Sequence, residues 1–197
     1  MTVEAFNALW QATWPETIPL YYTFRDALPD KWFRIHSLPN SQRYAADQED
    51  WEILLHRQNT LITDVVGCDA PLLMVTYTHS QENDTTSAAE EPVTSITHFT
   101  FSQMAPINLY EFNPEHYCKG QFALPMFTEL NWQPHQHNAI LRDVANWELL
   151  AFFVSFQHKC LLAPYDGGMD IILADTATRD HYKAKYAAWL STHESGL

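Results

Sequence analysis

Helical stretches, with apolar positions recurring every three to four residues, are predicted at five places in the chain, and apolar positions alternate, or run unbroken, in several others. The first helical stretch is Thr2 to Thr13, where Phe6, Leu9, Trp10 and Thr13 share a side, Thr2 is placed to cap, and Pro15 ends the pattern. Pro19 opens a short second helix through Leu28, because proline fits a first helical turn. The strongest helix follows Asp47 and runs from Gln48 to Val66. Trp51, Leu54, Leu55, Gln58, Leu61, Ile62 and Val65 form its inner stripe, and Gly67 is its expected terminator. His135 to Ala145, after Pro134, and Thr176 to Ser191, with Tyr182, Tyr186, Trp189 and Leu190 inward, complete the helices.

Strands are predicted where the period falls to two or the run is short and wholly apolar. Trp32 to His36 alternates, with Trp32, Arg34 and His36 on one face and Phe33 and Ile35 on the other. Leu72–Thr78, Val93–Phe101, Ile107–Phe112, Phe127–Trp132, Glu148–Phe156, Lys159–Ala163 and Met169–Ala174 are the remaining strands. The polar segment His79–Pro92 reads as a surface loop or hairpin extension. Helices first, then strands with few crossovers, then a helix argue for an α+β fold: a central, mostly antiparallel sheet carrying one layer of packed helices plus the terminal helix. Length and the absence of a linker or repeat fit a single domain over residues 1–197.

Composition narrows the classes of function. A hydrophobic content of 46% supports a core, and the formal net charge of −13 opposes binding to nucleic acid or to anionic membranes. Three widely spaced cysteines without a Cys-x-x-Cys pair suit a reducing, cytoplasmic setting. Of these, Cys118 reads as an exposed thiol and Cys160 as core. The N-terminal residues lack a basic segment followed by an apolar one, as a signal peptide requires, and no apolar run reaches the ~20 residues of a membrane span. With five glycines, no Walker loop, no G-x-G-x-x-G and no G-x-S-x-G, nucleotide cradles and the nucleophile elbow are without support, and no cofactor is expected.

Against that acidic background, five of the eleven Lys and Arg residues fall between positions 25 and 57, and none lies between Gln58 and Cys118. The basic island Lys31–Tyr44 places Arg34 and His36 on one strand face and Ser37, Ser41 and Arg43 on the following loop, with Arg57 on the next helix. Guanidinium forks, hydroxyls and loop N–H groups can cradle a phosphate or carboxylate. Equally, these arginines can stack on indoles and pair with Asp30, Asp47 or Asp50 in a pinned connector. Asp166-Gly167 between two apolar runs is a hairpin signal, since glycine permits a positive φ. Asp166 and Asp170 can act as paired carboxylates for acid–base work or a hard metal ion, or Asp166 can serve its own turn. His135 and His137 diverge on a helix, and no metal-ligand spacing is present.

The segments W-F-R-I-H-S-L-P-N-S-Q-R-Y and A-P-Y-D-G-G-M-D resemble those of a family of uncharacterised bacterial proteins. That family carries an R-[IF]-H-S-L-P-x-S-x-R-Y stretch, a helical H-R-x-N like His56-Arg57-Gln58-Asn59, and a late Y-D-G-G-x-D turn. The resemblance spans positions 32 to 170 and brings no activity with it. It implies weight on Arg34, His36, Ser37, Arg43, Arg57 and Asn59, while Gln42 departs from the lysine of the family pattern. Two functions follow as expectations. One is an acidic interaction protein of the bacterial cytoplasm, of immunity or antitoxin type, with a basic protein partner. The other is a small enzyme or ligand binder for an anionic metabolite, held by Arg34, His36, Arg43 and Arg57 with Asp166 and Asp170 opposite.

Overall fold

The computed structural model describes residues 1–81 and 93–191, so the acidic segment 82–91, the greater part of the expected surface loop His79–Pro92, lies outside the described residues. Helix α1 (Val3–Thr13) starts where Thr2 Oγ1 accepts from Ala5 N–H. Short α2 (Phe24–Ala27) lies between 3-10 turns at Tyr21–Thr23 and Pro29–Lys31, which replace the continuous helix expected from Pro19 to Leu28. Strand β1 is Trp32–His36 and helix α3 is Gln48–Val66, both with the expected bounds. Asp47 caps α3 by accepting from Asp50 N–H, and Gly67 ends it at φ 88°.

The remaining elements are β2 (Ala70–Gln81), β3 (Ser102–Gln103), β4 (Ile107–Asn108), α4 (Leu109–Phe112), β5 (Gln121–Trp132), α5 (Asn138–Ala145), β6 (Ala151–Ser155), β7 (Cys160–Pro164), β8 (Gly168–Ile172) and α6 (Thr176–Lys185). The strand expected over Val93–Phe101 is instead a 3-10 turn at Thr94–Ile96 leading to the two-residue β3. Likewise, only the first two residues of Ile107–Phe112 are extended, because Asn108 caps a helical turn through Glu111 N–H. The His135–Ala145 helix begins later, at Asn138, since His135 takes a left-handed φ of 69° and gives its N–H to Asn59 Oδ1.

All strand pairs are antiparallel, in the order β1-β8-β7-β6-β2-β5-β3, with β4 also on β5. The α+β class and antiparallel sheet are those the sequence predicts. The helices, however, form two layers rather than one. On one face Phe33, Ile35, Met74, Phe153, Leu162, Met169 and Ile171 pack with Leu54, Leu61 and Ile62 of α3 and Ile140 and Leu141 of α5. On the other, Leu73, Val75, Phe152, Val154, Leu161 and Ile172 pack with Phe6 and Trp10 of α1 and Phe24 of α2. Strands buried on both faces read as unbroken apolar runs, which is why β6, β7 and β8 show no alternation.

Candidate functional site

The register puts the C-terminal end of β1, the β7–β8 turn and the start of β6 at one end of the sheet. Tyr165 and Gly168 exchange backbone hydrogen bonds (2.9 and 3.3 Å) and leave Asp166-Gly167 as a two-residue hairpin loop. The hairpin was expected, but not its reason for glycine. Neither Gly167 nor Gly168 is among the positive-φ glycines. A Cβ on Gly168 would stand 2.1 Å from the Ile35 carbonyl oxygen, so glycine is required there by close approach of β1. Ser37 N–H donates to Gly167 O (3.1 Å), which locks the island to the turn.

A cavity of about 360 Å³ opens at this junction, lined by Tyr21, Arg34, His36, Ser41, Arg43, Trp147, Tyr165, Asp166, Gly167 and Asp170. Six of the eight residues singled out in the sequence therefore meet: Arg34, His36, Ser41, Arg43, Asp166 and Asp170. The other two stand behind the wall. Buried Ser37 Oγ accepts from Gln58 Nε2 (2.9 Å). Arg57 Nη1 donates to His36 O (2.9 Å), and its guanidinium lies over the Trp189 ring. Asn59 is also structural, since Nδ2 donates to Leu55 O and Asn138 Oδ1.

The island's cations are not neutralised by the nearby carboxylates. Asp47 caps α3, and Asp50 Oδ2 accepts from Ala46 N–H. The partners come from the hairpin, more than a hundred residues away. Arg34, opposite Asp170 in the β1–β8 register, donates from Nε to Oδ1 (2.7 Å) and from Nη2 to Oδ2 (2.8 Å). Trp32 Nε1 adds a third bond to Oδ1 (2.9 Å), and the Arg34 guanidinium lies 4.7 Å from the Tyr165 ring centroid. Arg43 donates from Nε to Asp166 Oδ2. Asp166 does not spend its side chain on its own turn: it is 1% exposed, and its second oxygen, Oδ1, is buried without a hydrogen-bond partner among the described residues. Buried His36 Nε2 likewise has none among them. Burial, followed by the Arg34 and Arg57 charges, holds the His36 imidazole below its ordinary pKa, so the ring is neutral at pH 7.

Two aromatic walls were not singled out in the sequence. Tyr21 lies in the 3-10 turn before α2, and its phenol is pushed up by burial and by the Asp166 and Asp170 charges. Trp147 follows α5 with φ 64° and is 51% exposed, an unusual backbone for so bulky a residue. The only sequence signal for Trp147 is its place just past the end of the apolar α5 stripe, beside Asn146. Among the described residues no group of three or more His, Cys, Asp or Glu side chains is placed to hold a metal ion, and no helix is long and apolar enough to cross a membrane.

The profile of the family described as Domain of unknown function (DUF3885) matches residues 20–194. The chain belongs to this family. The match takes in every element lining the cavity of this DUF3885 chain, from Tyr21 to Asp170, and leaves out α1. No curated protein and no solved structure matches the chain.

Proposed function

We propose that this chain is a small-molecule binder, or an enzyme built on such a site, whose ligand presents an anionic group to Arg43. The observation that carries the reading is the tethering of Arg43. Among the described residues it donates one hydrogen bond, from Nε to Asp166, while its side chain remains 58% exposed. A largely exposed guanidinium that lines a cavity and is oriented by a buried carboxylate is preorganised for a carboxylate or phosphate. Arg34 contributes less directly, since two of its nitrogens are committed to Asp170. Its role is to brace the wall on which His36 and Tyr165 stand. For the enzymatic form, Asp166 Oδ1 and neutral His36 are the groups able to accept or relay a proton. Thermal denaturation with phosphates, sulfates and mono- and dicarboxylates tests the reading. At least one anion should raise the melting temperature of the native chain and not of Arg43→Gln. An anion panel without effect, or an equal effect on the variant, refutes it.

The charge distribution favours a second reading. A net charge of −13 and the cation-free stretch 58–118 suit a cytoplasmic bacterial binding module, immunity- or antitoxin-like, for a basic protein. Affinity capture at low and moderate salt should then recover a salt-sensitive basic partner, and recovery of none in either condition counts against it.

A further inference from the structure

We propose that the cavity is built for a zwitterion of the α-amino-acid class, with the ligand carboxylate on the terminal nitrogens of Arg43, its ammonium on Asp166 Oδ1 and its side chain against Trp147. This rests on the assignment of Arg43 to an anionic group and adds what the rest of the ligand must be.

Charge balance is the first argument. The lining residues carry two guanidiniums and two carboxylates, joined as Arg34–Asp170 and Arg43–Asp166, and His36 adds no charge at neutral pH. The site is therefore formally neutral in a chain of net charge −13. A phosphate dianion would meet one uncommitted guanidinium face with a buried carboxylate beside it. A molecule of no net charge, with its own charges separated, matches both members of the Arg43–Asp166 pair and repels neither.

The unsatisfied atom is the second. Asp166 Oδ1 lies in a side chain 1% exposed, has no partner among the described residues, and belongs to a residue that lines both the main cavity and a narrow cleft that shares Tyr21, Trp147 and Tyr165 with it. A carboxylate oxygen only accepts, so what completes it is a donor, and an ammonium is the donor that also answers its charge. Because Asp166 Oδ2 is bonded directly to Arg43, groups on Oδ1 and on the outer guanidinium nitrogens are close neighbours, as the amino and carboxyl groups of an α-amino acid are.

Trp147 is the third. A half-exposed indole held in the left-handed backbone region is an outlier of the kind that gathers at ligand clamps, and here it borders the cavity and faces the same ligand volume as Tyr21. The volume of about 360 Å³ falls at the small end of ligand pockets, roughly 300–1,000 Å³.

Calorimetric titration of the full chain with each of the twenty common L-amino acids, and with inorganic phosphate, tests the proposal. The best-bound amino acid is then compared with its decarboxylated amine and its deaminated acid. Each truncated compound should bind about tenfold more weakly or worse, the loss expected for one charge-assisted hydrogen bond. Asp166→Asn should erase the preference for the amino acid over its deaminated acid, and Trp147→Ala should weaken the amino acid while preserving that preference. Arg43→Lys keeps a positive charge beside the buried Asp166 carboxylate, so it should fold, and without the outer guanidinium nitrogens it should erase the preference for the amino acid over the amine. It keeps the test decisive if Asp166→Asn is unstable. If the deaminated acid or phosphate binds as well as the amino acid, the zwitterion is refuted while the anion site stands. If no amino acid and no anion binds, both fall.

Discussion

Replacing Arg34 by methionine keeps most of the aliphatic bulk and removes both bonds to Asp170. The carboxylate is then left nearly buried with only the Trp32 indole N–H, 2.9 Å away. Breaking one side of a buried ion pair costs about 3–5 kcal/mol, because the remaining charge is desolvated and uncompensated. For a chain of this size that corresponds to a fall in melting temperature of about 6–20 °C. Asp170→Asn should cost less, about 2 kcal/mol, since Asn can still accept from Trp32 and Arg34 stays stacked on Tyr165. The double variant Arg34→Met with Asp170→Asn should be destabilised by less than the sum, with a coupling of about 2 kcal/mol. Guanidinium denaturation followed by tryptophan fluorescence measures all four proteins. If the two single effects add to within about 0.5 kcal/mol, the side chains act as independent solvated groups and the bracing role given to the pair is wrong.

Gly168→Ala drives a Cβ into the Ile35 carbonyl and should cost about 3 kcal/mol or more, whereas Gly67→Ala, strained only by its φ of 88°, should cost about 1 kcal/mol. Equal losses in denaturation midpoints would refute the close-approach account. The lowered pKa of His36 means that its stabilising contribution is complete above the unfolded value of about 6.5 and is lost as pH falls through the folded value, because the unfolded state takes up the proton first. A His36→Gln variant should therefore show a flatter stability profile below pH ~6.5 than the native chain, and unchanged slopes would contradict it. Burial pushes the Cys160 thiol up to about 12, while Cys68 and Cys118 are exposed. A thiol reagent should label two cysteines in the folded protein and the third only after unfolding, and fast labelling of all three would refute the core placement.

Local signals carried well where one element decides its own form. Asp47 and Gly67 bound α3 because a cap and a left-handed stop act within a turn of the chain. The alternation of Trp32 to His36 likewise placed Arg34 and His36 on one face. The predicted strand over 93–101 failed because apolar alternation also suits a turn whose Ile96, Phe99 and Phe101 pack, partly buried, against a core formed elsewhere. The two-sided burial of the sheet was similarly hidden, since an unbroken apolar run does not say what covers each face.

The island and the hairpin were each visible in the linear chain as chemistry: a cluster of cations in an acidic protein, and two aspartates around a turn. Their meeting was not. Arg34 finds Asp170 and Arg43 finds Asp166 through the pairing of β1 with β8, a contact across more than 120 residues that no local spacing encodes. Asp166 is buried there, with no donor to its Oδ1 among the described residues, in a cavity that Trp147 and Tyr21 also line. The amino-acid sequence by itself determined which charges and caps this protein has. Only the tertiary structure decided which charges cancel and which atoms remain to be satisfied, because desolvation and pairing depend on neighbours in space.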